Sequence, residues 1–160
     1  HATLQTVDLT SGDGVDRVAA AQAAAEGLPD LADEVARLAR AAVDSDVVRT
    51  AVAHPHWREL YVAAPVGAVT VEGFVDLLYD GPDGLVIVDY KTDRIGSYAD
   101  ADAALARHRL QLATYALVVE TTLDRPVAGA ALVFVRGSET RTRWVHDLPG
   151  AVEELRARLS

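Results

Sequence analysis

The sequence predicts an α/β (α+β) fold, an N-terminal helical segment followed by a sheet core with helices around it. Three observations carry this. Half of the 160 residues are apolar and 24% are charged, the balance of a globular protein with enough chain for a proper core. Apolar side chains recur at helical spacing through the first third of the chain. From Trp57 onward that pattern gives way to alternation rich in β-branched and aromatic residues. We expect one domain over residues 1–160, with helices in 1–54 and an αβ core in 55–160.

The elements follow in order. His1 to Leu9 reads as the tail of a helix, ended by Ser11-Gly12-Asp13-Gly14. Val15 to Glu26 is Ala-rich and closes at Gly27, a residue suited to a helix C-terminus. Pro29 to Val43 carries Leu31, Val35, Leu38 and Ala42 on one face. Ser45 is placed to cap a short helix from Asp46 to Ala53, which stops before Pro55. Trp57 to Val62 and Val69 to Tyr79 are expected strands. Asp80-Gly81-Pro82-Asp83-Gly84 is a hairpin turn. Leu85 to Lys91 is apolar enough to lie centrally in a sheet. Ala101 to Glu120 is a long helix, Val127 to Val135 and Arg141 to His146 are strands, and Ala151 to Leu159 is a closing helix after Pro149-Gly150.

Composition removes several function classes. The chain has no cysteine, so it offers no disulfide, thiolate zinc site or iron–sulfur cluster. No apolar run approaches membrane-spanning length, and the N-terminus lacks the basic and apolar regions of a signal peptide. A cytoplasmic protein with no membrane partner is expected. There is no Gly-x-x-x-x-Gly-Lys-[Ser/Thr] loop, hence no nucleotide-driven motor in this stretch. The chain starts at His1 and contains no Met, which reads as a fragment of a longer protein. A net charge of -9 argues against broad, non-specific affinity for nucleic acid. A polyanionic substrate then needs a metal or a partner to offset that field.

Chemistry concentrates at Lys91, the only lysine beside 14 arginines. Arginine is a bulky, permanently charged fork, whereas lysine is a compact ammonium on a flexible stem. Where arginine otherwise serves for positive charge, a retained lysine points to a chemical site. Asp89 and Lys91 share parity, so both side chains leave one face of the strand. Asp76 lies on the neighbouring strand of the hairpin and can point to the same place. Gln111 and Tyr115 are four apart on the following helix and stack on one face. Paired carboxylates beside an ammonium suit a hard divalent ion and an attacked phosphate. The lysine can orient a water or stabilise developing charge.

The set Gly73-x-x-Asp76 … Asp89-x-Lys91 … Gln111-x-x-x-Tyr115 resembles the core of the PD-(D/E)xK nucleases in their RecB/AddA form, the nuclease domain of bacterial helicase–nucleases. His1-Ala2-Thr3-Leu4-Gln5 is similar to the end of that family's histidine motif. The resemblance covers nearly the whole chain. It implies a restriction-endonuclease-like core with a central mixed β-sheet. It implies Mg2+ or Mn2+ as cofactor, with His1, Asp76, Asp89 and the Tyr90 carbonyl as metal ligands. Lys91 becomes the catalytic lysine, and Gln111 and Tyr115 contact DNA or position the site. The expected reaction is metal-dependent hydrolysis of DNA phosphodiester bonds by an exonuclease acting on single-stranded DNA fed by a helicase domain or partner subunit, in double-strand-break repair.

Plainer readings stand beside these. Asp89 and Lys91 also make an ordinary strand-end ion pair, and Gln111 and Tyr115 also suit a helix surface. His54-Pro55-His56 has ligand-like spacing but reads better as a turn entering a strand. His108 either borders the site or is solvated on its helix. Glu72 is strand surface or near the metals. Arg58-Glu59 opens a strand and has no assigned role, and Arg94 is placed to meet a phosphate. The rival function is a non-catalytic, nuclease-like scaffold or DNA-binding module of a repair complex. A third class is a nuclease acting on RNA or on restriction-type duplex sites.

Overall fold

The structure, a computed structural model, describes residues 1–92 and 98–159. Arg94 lies outside them. Four helices come first, α1 (Ala2–Thr6), α2 (Val15–Ala25), α3 (Ala32–Val43) and α4 (Asp46–Val52), with a 3-10 turn at Pro29–Leu31. Three strands follow, β1 (His56–Val66), β2 (Val69–Gly81) and β3 (Gly84–Lys91). Then come α5 (Tyr98–Leu123), β4 (Val127–Arg136), β5 (Glu139–Trp144) and α6 (Leu148–Leu159). The sheet runs β1-β2-β3-β4-β5. Every neighbouring pair is antiparallel except β3 and β4, which are parallel. A parallel pair needs a long crossover, and α5 provides it. This mixed sheet between two helical layers has the architecture of a restriction-endonuclease-like core.

The strands face two separate apolar layers. On one side Val75, Leu78, Leu85, Ile87, Ala130 and Leu132 pack with α5 and α6. On the other, Leu77, Tyr79, Val86, Val88, Val133 and Val135 pack with α1 to α4. β3 therefore alternates between two cores and is apolar from Leu85 to Val88, as a stretch covered on both faces must be. The β2–β3 hairpin closes with Gly81 opposite Gly84 around Pro82-Asp83, and Gly84 takes a φ of +130° that a side chain would disfavour.

Several boundaries differ from the sequence reading. β1 continues past Val62 to Val66, pairing Val66 with Val69. Pro65 does not stop it, because β1 is an edge strand. Ser45 precedes α4 but makes no side-chain cap, and its hydroxyl donates back to the Ala42 carbonyl at 2.7 Å. Burial explains the choice, since a buried hydroxyl takes the acceptor within reach. Pro149 and Gly150 lie inside the first turn of α6 rather than before it. Proline is tolerated there because the first-turn N–H groups have no intrahelical partner. β5 ends at Trp144, two residues short of the expected His146.

Candidate active site

The site forms where the β1–β2 ladder breaks. Arg58 pairs with Leu77 and Leu60 with Val75, but Glu59 and Asp76 between them make no ladder pair. The break changes which way the strand faces. Val75 and Leu77 are two apart yet belong to opposite cores. Glu59 adopts a φ of +46°, a left-handed conformation rare for a residue with a side chain. Strain of this kind persists only where surrounding structure over-determines it, and it concentrates at functional sites.

The break aims Glu59 and Asp76 at the start of α1. One donor atom each from His1, Glu59 and Asp76 lies within 4.8 Å of the other two. His1 Nδ1 is 3.2 Å from Asp76 Oδ1. The second Asp76 oxygen, Oδ2, accepts the Tyr90 backbone N–H at 2.8 Å, tying the carboxylate to β3. The hydrogen bond to Asp76 raises the pKa of His1 above its ordinary value against the opposing effect of burial, and the charges of Asp76, Asp89 and Glu59 add to the rise. An imidazole and two carboxylates suit a divalent cation, with the nitrogen favouring Mn2+ over Mg2+.

Asp89 and Lys91 leave β3 together as parity requires, and Nζ stands 2.7 Å from Oδ2. Asp89 is 4% exposed. Burial pushes its carboxyl above the usual range, Lys91 opposes that, and nearby Asp76 adds to it. The structure thus brings His1, Asp76 and Glu59 into one group and Asp89 and Lys91 into an adjoining ion pair. The sequence reading pairs Asp76 with Asp89 and gives Glu59 no role. Two consecutive charged residues, Arg58-Glu59, entering an alternating strand are the available signal. Tyr90 turns its ring inward, edge-on to His1 at 6.3 Å between centroids. Its hydroxyl is buried with no hydrogen-bond partner among the described residues, and burial raises its pKa far above the ordinary tyrosine value.

Helix α5 supplies the rest. Gln111 Nε2 donates to the Tyr115 hydroxyl at 3.3 Å, and Gln111 Oε1 is 3.1 Å from His108 Nδ1. His108, read as solvated or bordering the site, borders Gln111 and is half-buried. Tyr115 packs over Gly73, where an added Cβ would stand 2.9 Å from the ring. Glycine is needed at 73 because the ring lies against its backbone. Glu72 is exposed and accepts the Tyr61 hydroxyl at 2.5 Å, so it is strand surface. His54 and His56 bond to the carbonyls of Thr50 and His54 respectively, consistent with a turn entering β1.

The profile of the PD-(D/E)XK nuclease superfamily matches residues 1–159, and the chain belongs to that family. An ATP-dependent helicase/nuclease subunit of Desulforudis audaxviator (strain MP104C) is 50% identical over 72 residues, covering 44% of this chain and 6% of that protein. Its counterpart in Bacillus licheniformis is 40% identical over 75 residues, covering 43% of this chain and 6% of that protein. The match therefore spans only a small part of these relatives' length. No helix among the described residues is long and apolar enough to cross a membrane.

Proposed function

We propose that residues 1–160 act as one metal-dependent nuclease domain that hydrolyses DNA phosphodiester bonds within a longer helicase–nuclease chain. The observation that carries this reading is the convergence of His1, Glu59 and Asp76 donors within 4.8 Å, beside the Asp89–Lys91 pair. These residues fit a divalent cation. His1, Glu59 and Asp76 would hold it, with Asp89 and the Tyr90 carbonyl as further ligands. A bound Mg2+ or Mn2+ would supply Lewis acidity and neutralise charge on phosphate oxygens. In the net reaction a water oxygen bonds to phosphorus, the P–O ester bond breaks, and the leaving oxygen ends protonated. Lys91 stabilises the growing negative charge or orients the water. Asp89 keeps the ammonium in place. Gln111 and Tyr115, linked to each other with the Tyr115 ring seated over Gly73, position the strand or the site.

The preferred substrate in this reading is single-stranded DNA, cleaved as an exonuclease in the cytoplasm and delivered by a helicase domain or partner subunit. The similarity to the ATP-dependent helicase/nuclease proteins supports that setting. The test is calorimetry with Mn2+ on wild type and Asp76→Asn, with cleavage assays on single-stranded DNA, duplex DNA and RNA. Mn2+ binding lost in Asp76→Asn, together with DNA cleavage, is expected. A wild-type protein that binds no Mn2+ and cleaves nothing would favour the scaffold reading.

A further inference from the structure

The donors of the candidate metal centre come from two unconnected parts of the fold. Glu59 and Asp76 belong to the sheet, whereas His1 stands at the head of α1, a helix of five residues. Helices this short have no stability of their own, so their placement depends on tertiary contacts. Thr3, Leu4 and Val7 are buried against the N-terminal core. Apolar contact of that kind sets how deep α1 lies, but it is non-directional and does not fix rotation or position along the axis. His1 makes no side-chain cap to α1.

Among the described residues, direction beyond the His1–Asp76 bond itself comes from Arg58. Arg58 Nη1 donates to the Leu4 carbonyl at 3.1 Å and the Val7 carbonyl at 2.6 Å. These carbonyls lie at the C-terminal end of α1, where helix oxygens lack intrahelical partners and attract a cation. Arg58 directly precedes Glu59 and pairs with Leu77, which directly follows Asp76. The Arg58 side chain thus fastens the helix that carries His1 to the point of the sheet that carries the two carboxylates. His1 and Leu4 are about one helical turn apart, so a slip of α1 by one residue, about 1.5 Å, takes the imidazole out of reach of Asp76.

We propose that Arg58 is a positioning residue that registers His1 against Glu59 and Asp76. The proposal rests on the metal-centre reading above, and its tests separate the two. In Arg58→Met the stem is kept and the donors are lost. Mn2+ affinity measured by calorimetry should fall by about 10-fold or more, the range for partners that orient metal ligands. Arg58→Lys, which can still donate to both carbonyls, should recover most of it. Because Arg58 acts through His1, Arg58→Met added to His1→Ala should weaken Mn2+ binding little further. An equal loss in both backgrounds would overturn the proposal, as would Mn2+ affinity that Arg58→Met leaves unchanged. A metal-free readout decides the matter even if wild type binds no Mn2+. The imidazole NMR signals of His1 should move to those of a free histidine in Arg58→Met and stay in place in Arg58→Lys. Unmoved signals in folded Arg58→Met overturn it. Should Arg58→Met fail to fold, Arg58→Gln, which keeps one short donor, replaces it with the same two readouts and the same expected direction.

Discussion

The two faces of the sheet hold their share of the site by different means. On the α5 face, Leu112, Ala113 and Ala116 are wholly buried in one core with Ile87 and Leu132. Gln111 and Tyr115 ride on that packed helix and need no further anchor. On the opposite face, His1 rides on a five-residue helix whose directional ties are polar. They reach across 51 and 54 positions of sequence. Packing sets one half of the site and hydrogen bonds set the other. Side chains placed by packing should therefore respond to changes of volume, and those placed by hydrogen bonds to loss of a donor.

The largest effect is expected at the junction of the two faces. Lys91→Arg should fold as wild type yet cleave DNA on the order of 100-fold more slowly, since the wider fork cannot take the ammonium's place. Near-wild-type cleavage by this variant would remove Lys91 from the chemistry. Gly73→Ala tests the packed face. Its new methyl meets the Tyr115 ring at 2.9 Å, and overpacking should cost about 1–3 kcal/mol, read as a lower midpoint in urea. Tyr115→Ala in the same chain should return most of that loss, and no recovery would place the clash elsewhere.

Asp89→Asn sharpens the comparison through pH. The folded-state pKa of Asp89 is raised, chiefly by burial. Its protonated form is therefore favoured by folding, an advantage complete below the unfolded pKa and lost as pH rises through the folded one. In metal-free buffer Asp89→Asn should accordingly melt no lower than wild type at neutral pH, and should gain on wild type as pH climbs from the acid side. Metal-induced stabilisation should disappear. A variant melting several degrees lower at neutral pH would instead make the Lys91 ion pair a net structural support. The smallest effect is expected far from the site. Arg125 holds the Asp80 carboxylate with two nitrogens and pulls its pKa down, but the pair is solvent-screened. Asp80→Asn should change neither melting nor cleavage measurably, and a clear change in cleavage would extend the site to the hairpin turn.

Much of this architecture was legible from residue patterns. Asp89 and Lys91 follow from parity on an unbroken strand, and Gln111 and Tyr115 from spacing on a long helix. Glu59 was legible only as one of two consecutive charges, because its place in the site depends on a missing ladder pair and a positive φ, neither of which leaves a mark in apolar alternation. Alternation alone puts Val75 and Leu77 on one side of the sheet, and the structure separates them. The register that sets Glu59 across from Asp76 also depends on β1 reaching Val66, through a stretch containing Pro65 that reads as the end of a strand. Arg58 was hidden for another reason, since backbone carbonyls as acceptors have no sequence signature.

The distances along the chain bear on how the protein is made. The β1–β2 hairpin turns through two residues, so Glu59 and Asp76 can meet as soon as that local unit forms. His1 is separated from Asp76 by 75 positions. Closing so long a loop carries an entropic cost that must be met before the contact returns anything, so such contacts form late. During synthesis His1 emerges ahead of both carboxylates and would be the last of the three to reach its station. In the proposed reading, a divalent ion that needs all three donors would then bind the finished fold and pass over its half-folded precursors.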